Sequence, residues 1–61
     1  MALPPEVQEA ENRMNAAKDA LLADIESGQP YDAARRHTLI HHVERTSSEF
    51  VALISRLRPN P

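Results

Sequence analysis

Three residues in the second half of the chain, His37, His41 and Glu44, have types and a spacing that could support chemistry. On a helix, positions i, i+4 and i+7 share one face. Two imidazoles and a carboxylate there could hold a divalent metal such as zinc, or the histidines could change charge between about pH 5 and 8 as a pH switch. Ser48 and Ser55 fall on the same face, which indicates that it points to solvent. We therefore predict no metal ligand and no cofactor, and keep a metal- or pH-responsive bundle as an alternative function.

Catalytic groups of other kinds are not indicated by the sequence. The chain has no Cys and a single Gly, so it offers neither a thiol nucleophile nor a Gly-rich loop that could cradle a phosphate. Two packed helices also provide no cleft for a small molecule unless a second subunit completes one. We therefore predict no catalytic residue and no enzyme activity.

Charged residues are divided unevenly along the chain, whose net charge is −2. Residues 1–29 carry six acidic and two basic side chains, whereas residues 30–61 carry three acidic and five basic ones. This asymmetry favours pairing between the two halves, and we expect the long side chain of Arg36 to place its charged group on Asp24 or at the end of the bundle. A nucleic-acid-binding bundle is a second alternative, although interleaved acids and the lack of an aromatic platform disfavour nucleic acid as a partner. The arginines concerned are Arg35, Arg36, Arg45, Arg56 and Arg58.

Apolar residues do not form a run long enough to span a membrane. No stretch approaches the ~18 consecutive apolar residues of a transmembrane helix. The first residues, Met-Ala-Leu-Pro-Pro-Glu, lack the basic and apolar regions of a signal peptide. We expect no membrane contact and a cytoplasmic location.

Proline and glycine mark the boundaries of two helical segments. Pro4 and Pro5 suit the first turn of a helix, where a missing N–H group is not needed. Gly28 can take the left-handed conformation that ends such a helix, and Pro30 suits the first position of the next one. The segment Arg58–Pro61 should end the second helix, because a residue before proline disfavours the helical conformation.

These signals predict a single all-α domain over residues 1–61. Its connection is so short that the two helices must lie antiparallel, as a helical hairpin. The predicted boundaries are about 4–27 for helix one, 28–29 for the turn and about 30–57 for helix two.

Apolar residues follow a narrow stripe on helix one and a wide stripe on helix two. The wide stripe has a central seam of Ile40, Val43, Ser47, Phe50, Ile54 and Leu57. Leu39, Thr46 and Leu53 widen it on one side and Ala33 and Val51 on the other, to about 160° of the helix circumference at 100° per residue. One partner helix cannot cover so wide an arc, and a chain of this length buries only about 60% of its unfolded surface.

The wide stripe therefore predicts self-association, as a homodimer forming a four-helix bundle. The expected oligomer interface comprises Leu39, Ile40, Val43, Phe50, Leu53, Ile54 and Leu57. The predicted function is that of a small homo-oligomeric interaction, scaffolding or regulatory protein working through helix–helix contacts. A further helical protein could bind the small residues Ala16, Ala20 and Ala23 of helix one, with Leu22 beside them.

Overall fold

The computed structural model describes residues 3–57, which form two α-helices and no strand. Helix α1 runs over Pro5–Glu26 and helix α2 over Ala33–Leu57. The helices pack against each other, and the described part of the chain measures 50 × 18 × 16 Å. The all-α helical hairpin is thus confirmed. Neither helix is long and apolar enough to cross a membrane. The predicted helix end at Arg58–Pro61 lies outside the described residues.

Helix α1 has the boundaries that its proline and glycine predict. Pro5 is the first helical residue, and the Pro4 carbonyl accepts hydrogen bonds from the amides of Val7 and Gln8, each at 3.0 Å. At the other end, the Ser27 hydroxyl donates to the Asp24 carbonyl at 2.9 Å. Gly28 follows with φ of 75°, the left-handed conformation that ends a helix without a Cβ clash.

Helix α2 begins three residues later than predicted, at Ala33 instead of Pro30. Asp32 is the reason, because its carboxylate accepts a hydrogen bond from the Arg35 amide at 3.1 Å. Its carbonyl accepts another from the Arg36 amide at 2.9 Å, so Asp32 is a strong N-cap. The connection is consequently Ser27–Asp32, longer than the predicted turn at 28–29.

The core between the two helices is small. Within residues 3–57, the buried apolar side chains are Val7, Ala10 and Ala17, all on α1. The buried residue of α2 is Thr46, whose hydroxyl donates to the carbonyls of its own helix at His42 and Val43. Two of the three apolar residues are alanines, so this core removes little apolar surface from water.

The rotation of α2 differs from that predicted for the hairpin. Thr46, expected at the edge of the wide stripe, is its most buried member, whereas Ile40 and Ile54 of the predicted central seam are exposed. Helix α1 therefore packs on one flank of the stripe instead of on its centre. The opposite flank, which includes Val51, stays open to solvent.

Candidate interaction surface

Large apolar side chains remain exposed on both helices of the hairpin. Val51 exposes 59% of its surface, Leu22 and Ile25 each expose 52%, and Ile40 and Ile54 about 40%. Leu3 and Leu57 are also exposed, near the open end of the hairpin. A folded monomer tolerates scattered exposed apolar residues, so their meaning depends on whether they share one side.

The exposed apolar residues of the two helices do share one side. At about 100° per residue, Ile40, Val51 and Ile54 fall on the same flank of α2, away from Thr46. On α1, Leu22 falls on one flank of the buried residues Ala10 and Ala17, and Ile25 lies at the edge of that flank, in the same direction as the buried Val7. Antiparallel helices turn in opposite senses when viewed from one end, which brings these two flanks to the same side of the hairpin. We name this side the apolar face, comprising Leu22, Ile25, Ile40, Val51 and Ile54.

The apolar face is more continuous on α2 than on α1. On α1, Leu22 and Ile25 lie near the turn, and the earlier residues on this side include the charged Glu11 and Lys18. At the turn end, α2 borders a shallow depression of about 410 Å³. It is lined by Tyr31, Ala33, Ala34, Arg36, His37 and Ile40.

Ion pairs close the turn end of the hairpin. The Arg36 Nε group donates a hydrogen bond to the Asp24 carboxylate at 2.9 Å, and Arg35 Nε forms an ion pair with the other carboxylate oxygen at 3.1 Å. The Arg36 guanidinium also lies over the ring of Tyr31, 5.2 Å from its centroid. The expected pairing of Arg36 with Asp24 is confirmed. Both guanidinium groups contact the Asp24 carboxylate, which a nucleic-acid phosphate would have to replace. This arrangement does not favour the nucleic-acid alternative, which stays a prediction.

The predicted oligomer-interface residues divide into two groups in the single hairpin. Half-buried positions are occupied by Leu39, Val43, Phe50 and Leu53, and exposed positions by Ile40, Ile54 and Leu57. The predicted interface did not include three residues of the apolar face, Leu22 and Ile25 of α1 and Val51 of α2, of which Val51 was assigned only to the edge of the stripe. Its exposure beside Ile40 and Ile54 makes it part of the apolar face.

The three residues with metal-ligand spacing lie on the outer surface of α2, as their pattern predicts. The Nε2 atoms of His37 and His41 approach to 3.0 Å, with the rings edge to face at 75°. Glu44 lies on the other side of the His41 ring, with Oε1 3.6 Å from Nδ1. The carboxylate therefore does not converge with the two Nε2 atoms, and no group of three or more metal-ligating residues is found within residues 3–57.

Comparison with protein-family models, curated proteins and solved structures finds no match to this chain. Its function must therefore be inferred from its own residues.

A second depression, of about 600 Å³, lies on the outer surface of α2. It is lined by Thr38, His41, His42, Glu44, Arg45, Ser48 and Glu49. All of these residues belong to one helix, whose convex surface cannot enclose a substrate as the walls of a cleft do. On α1, the stripe of Ala16, Ala20 and Ala23 is exposed on the side away from α2.

Proposed function

We propose that this protein functions by self-association, as a homodimer in which two hairpins stack through their apolar faces to form a four-helix bundle. The observation that carries the proposal is the contrast between the open apolar face and the small core, which has three buried apolar side chains within residues 3–57. A short chain with so small a core needs a further source of stability, such as a disulfide, a metal ion or a second subunit. The absence of Cys excludes a disulfide. A second subunit provides the missing burial.

The side of the hairpin that carries the apolar face is large enough for a second copy. One side of the hairpin measures 50 by 18 Å, which is roughly 900 Å². A stable protein interface covers about 800 Å² on each partner, so this single side is large enough.

Two residues of the face, Ile40 and Val51, can pair with each other under a two-fold axis. If two α2 helices stack antiparallel about the midpoint between Arg45 and Thr46, then Ile40 of one copy lies at about the level of Val51 of the other. Such a contact, in which the same patch meets itself, is the rule for closed homodimers.

The same axis also matches the charges on α1. Glu11 and Lys18 are equally spaced about the midpoint between Met14 and Asn15, so each would meet its opposite charge across the axis. Asp24 lies about ten residues from the α1 midpoint, and its partner Arg36 lies about ten residues from the α2 midpoint. The two midpoints are therefore at the same level along the hairpin. This arrangement puts the two turns at opposite ends of the dimer.

Stacking in this way would complete the packing that the single hairpin leaves open. The central seam predicted for helix two points between α1 and the second copy, which is the direction of a bundle axis. Ile54 would lie near the level of His37 in the other copy, beside the depression next to Ile40. Burying an Ile or Val side chain contributes about 1.5–3 kcal/mol, more than exposed charges contribute.

A pair of neighbouring substitutions tests this proposal. Val51→Glu places a charge on the apolar face, whereas Ala52→Glu places the same charge on the outer surface of α2. By light scattering, we expect Val51→Glu to lose the dimer and Ala52→Glu to retain it. Because Val51 is exposed in the single hairpin, unfolding of this variant would itself indicate burial by a second copy. A Val51→Glu dimer as stable as that of the unmodified chain would contradict the proposal.

A further inference from the structure

The His37 and His41 rings are placed one helical turn apart with their Nε2 atoms facing each other. These atoms are 3.0 Å apart, and the ring centroids are 4.4 Å apart. Two imidazole nitrogens bound to one metal ion, each about 2.0–2.1 Å from it, are separated by roughly 3 Å. The pair therefore has the spacing of two ligands of one ion, and rotation of the two rings would aim both lone pairs at it.

Glu44 favours the imidazole tautomer that binding requires. Its carboxylate oxygen lies 3.6 Å from Nδ1 of His41, longer than a hydrogen bond, and its negative charge favours a hydrogen at Nδ1, which leaves the lone pair at Nε2. Without a metal, one hydrogen must lie between the two facing Nε2 atoms, and binding requires that this hydrogen move to Nδ1 or leave. Glu44 thus acts as a positioning residue and not as the third ligand that its spacing suggested.

We propose that His37 and His41 form a two-ligand site for a transition-metal ion of the Zn²⁺, Ni²⁺ or Cu²⁺ class. Imidazole suits these ions, whereas Mg²⁺ prefers oxygen ligands. His41 exposes 64% of its side chain and His37 is also exposed, so the ion reaches the pair from solvent and water fills its other positions. Both ligands come from one helix of one chain, so the site does not depend on dimer formation.

Metal binding should stabilise the folded chain, because an unfolded chain does not hold two imidazoles one turn apart. At a metal concentration about fivefold above the dissociation constant, we expect Tm to rise by about 4–8 °C in a domain of this size. Melting curves would be recorded at one chain concentration with ZnCl₂, NiCl₂ or CuCl₂, and with MgCl₂ as the ion that should have no effect.

Four single substitutions test the roles of the residues around the site. His37→Ala and His41→Ala should each abolish the rise in Tm, while His42→Ala should retain it, because His42 lies on another flank of α2. Glu44→Gln should weaken binding without abolishing it. The Cu²⁺ electron paramagnetic resonance spectrum supplies a second measurement, with nitrogen couplings that either His37→Ala or His41→Ala reduces. An unchanged Tm with all three metals, or an equal loss in His42→Ala, would overturn the site.

Discussion

Asp24 and Arg36 join the end of α1 to the beginning of α2 through a hydrogen-bonded ion pair of 2.9 Å. The Asp24 side chain is 12% exposed and that of Arg36 is 24% exposed, so water screens this pair less than a surface pair. Arg35 adds a second contact to the same carboxylate at 3.1 Å. One carboxylate thereby holds two guanidinium groups at the turn end, where the six-residue connection alone does not fix the helices.

Replacing Asp24 should therefore destabilise the hairpin. A hydrogen bond to a charged group contributes about 1.5–3 kcal/mol, so we expect Asp24→Ala to lower the free energy of unfolding by about that amount. Urea unfolding followed by circular dichroism would measure the change. Asp19→Ala, at an exposed position of the same helix, is the matched control and should change stability by less than about 0.5 kcal/mol. Equal effects of the two substitutions would show that the ion pair adds no stability.

The cap at the start of α2 gives a second expected loss of stability. Asp32→Ala removes the acceptor for the Arg35 amide and should lower the free energy of unfolding by about 1 kcal/mol. Asp32→Asn keeps a side-chain oxygen that can accept this hydrogen bond and should retain most of the stability. If both variants unfolded at the same urea concentration as the unmodified chain, the helix boundary at Ala33 would be wrong.

The burial of Phe50 differs between the lone hairpin and the proposed four-helix bundle. In the single hairpin it is half-buried, but in the proposed bundle it lies near the common axis. We therefore expect Phe50→Ala to lower the free energy of unfolding by about 3–5 kcal/mol, the loss found for aromatic residues in full cores. The measurement must be made at a chain concentration where the dimer dominates. A loss of about 1 kcal/mol would match the lone hairpin instead.

The orientation of the two hairpins can be measured by labelling the turn. The chain has no Cys, so Gln29→Cys introduces a single site for a spin label at an exposed position. Turns at opposite ends of the bundle should give a label separation near the 50 Å length of the hairpin. A much shorter separation by double electron–electron resonance would show that both turns lie at the same end, with α1 stacked on α2 of the second copy.

Local sequence signals predicted the helices well because the groups that end a helix are close to it in the chain. Pro5 and Gly28 lie where a helix accepts them, and α1 has the expected boundaries within one residue. The start of α2 was predicted wrongly because two signals compete there. Pro30 suits a first helical position, but the carboxylate of Asp32 provides a hydrogen bond that proline cannot.

The rotation of α2 could not be predicted from its apolar pattern. A stripe of about 160° contains several directions that could face α1, and the choice depends on the shapes of the side chains that meet. Small residues of α1 such as Ala10 and Ala17 accommodate the side near Thr46. Likewise, the spacing of His37, His41 and Glu44 predicted a shared face, but ring rotation decides that Glu44 approaches Nδ1 instead of the paired Nε2 atoms.

The central claim is that the apolar face is covered by a second copy, and light scattering over a concentration series of the unmodified chain tests it most directly. The chain has a mass of 6.8 kDa. We expect twice this mass at high concentration, with helical content and mass falling together on dilution. A cooperatively folded species that keeps the 6.8 kDa mass at every concentration would contradict the claim.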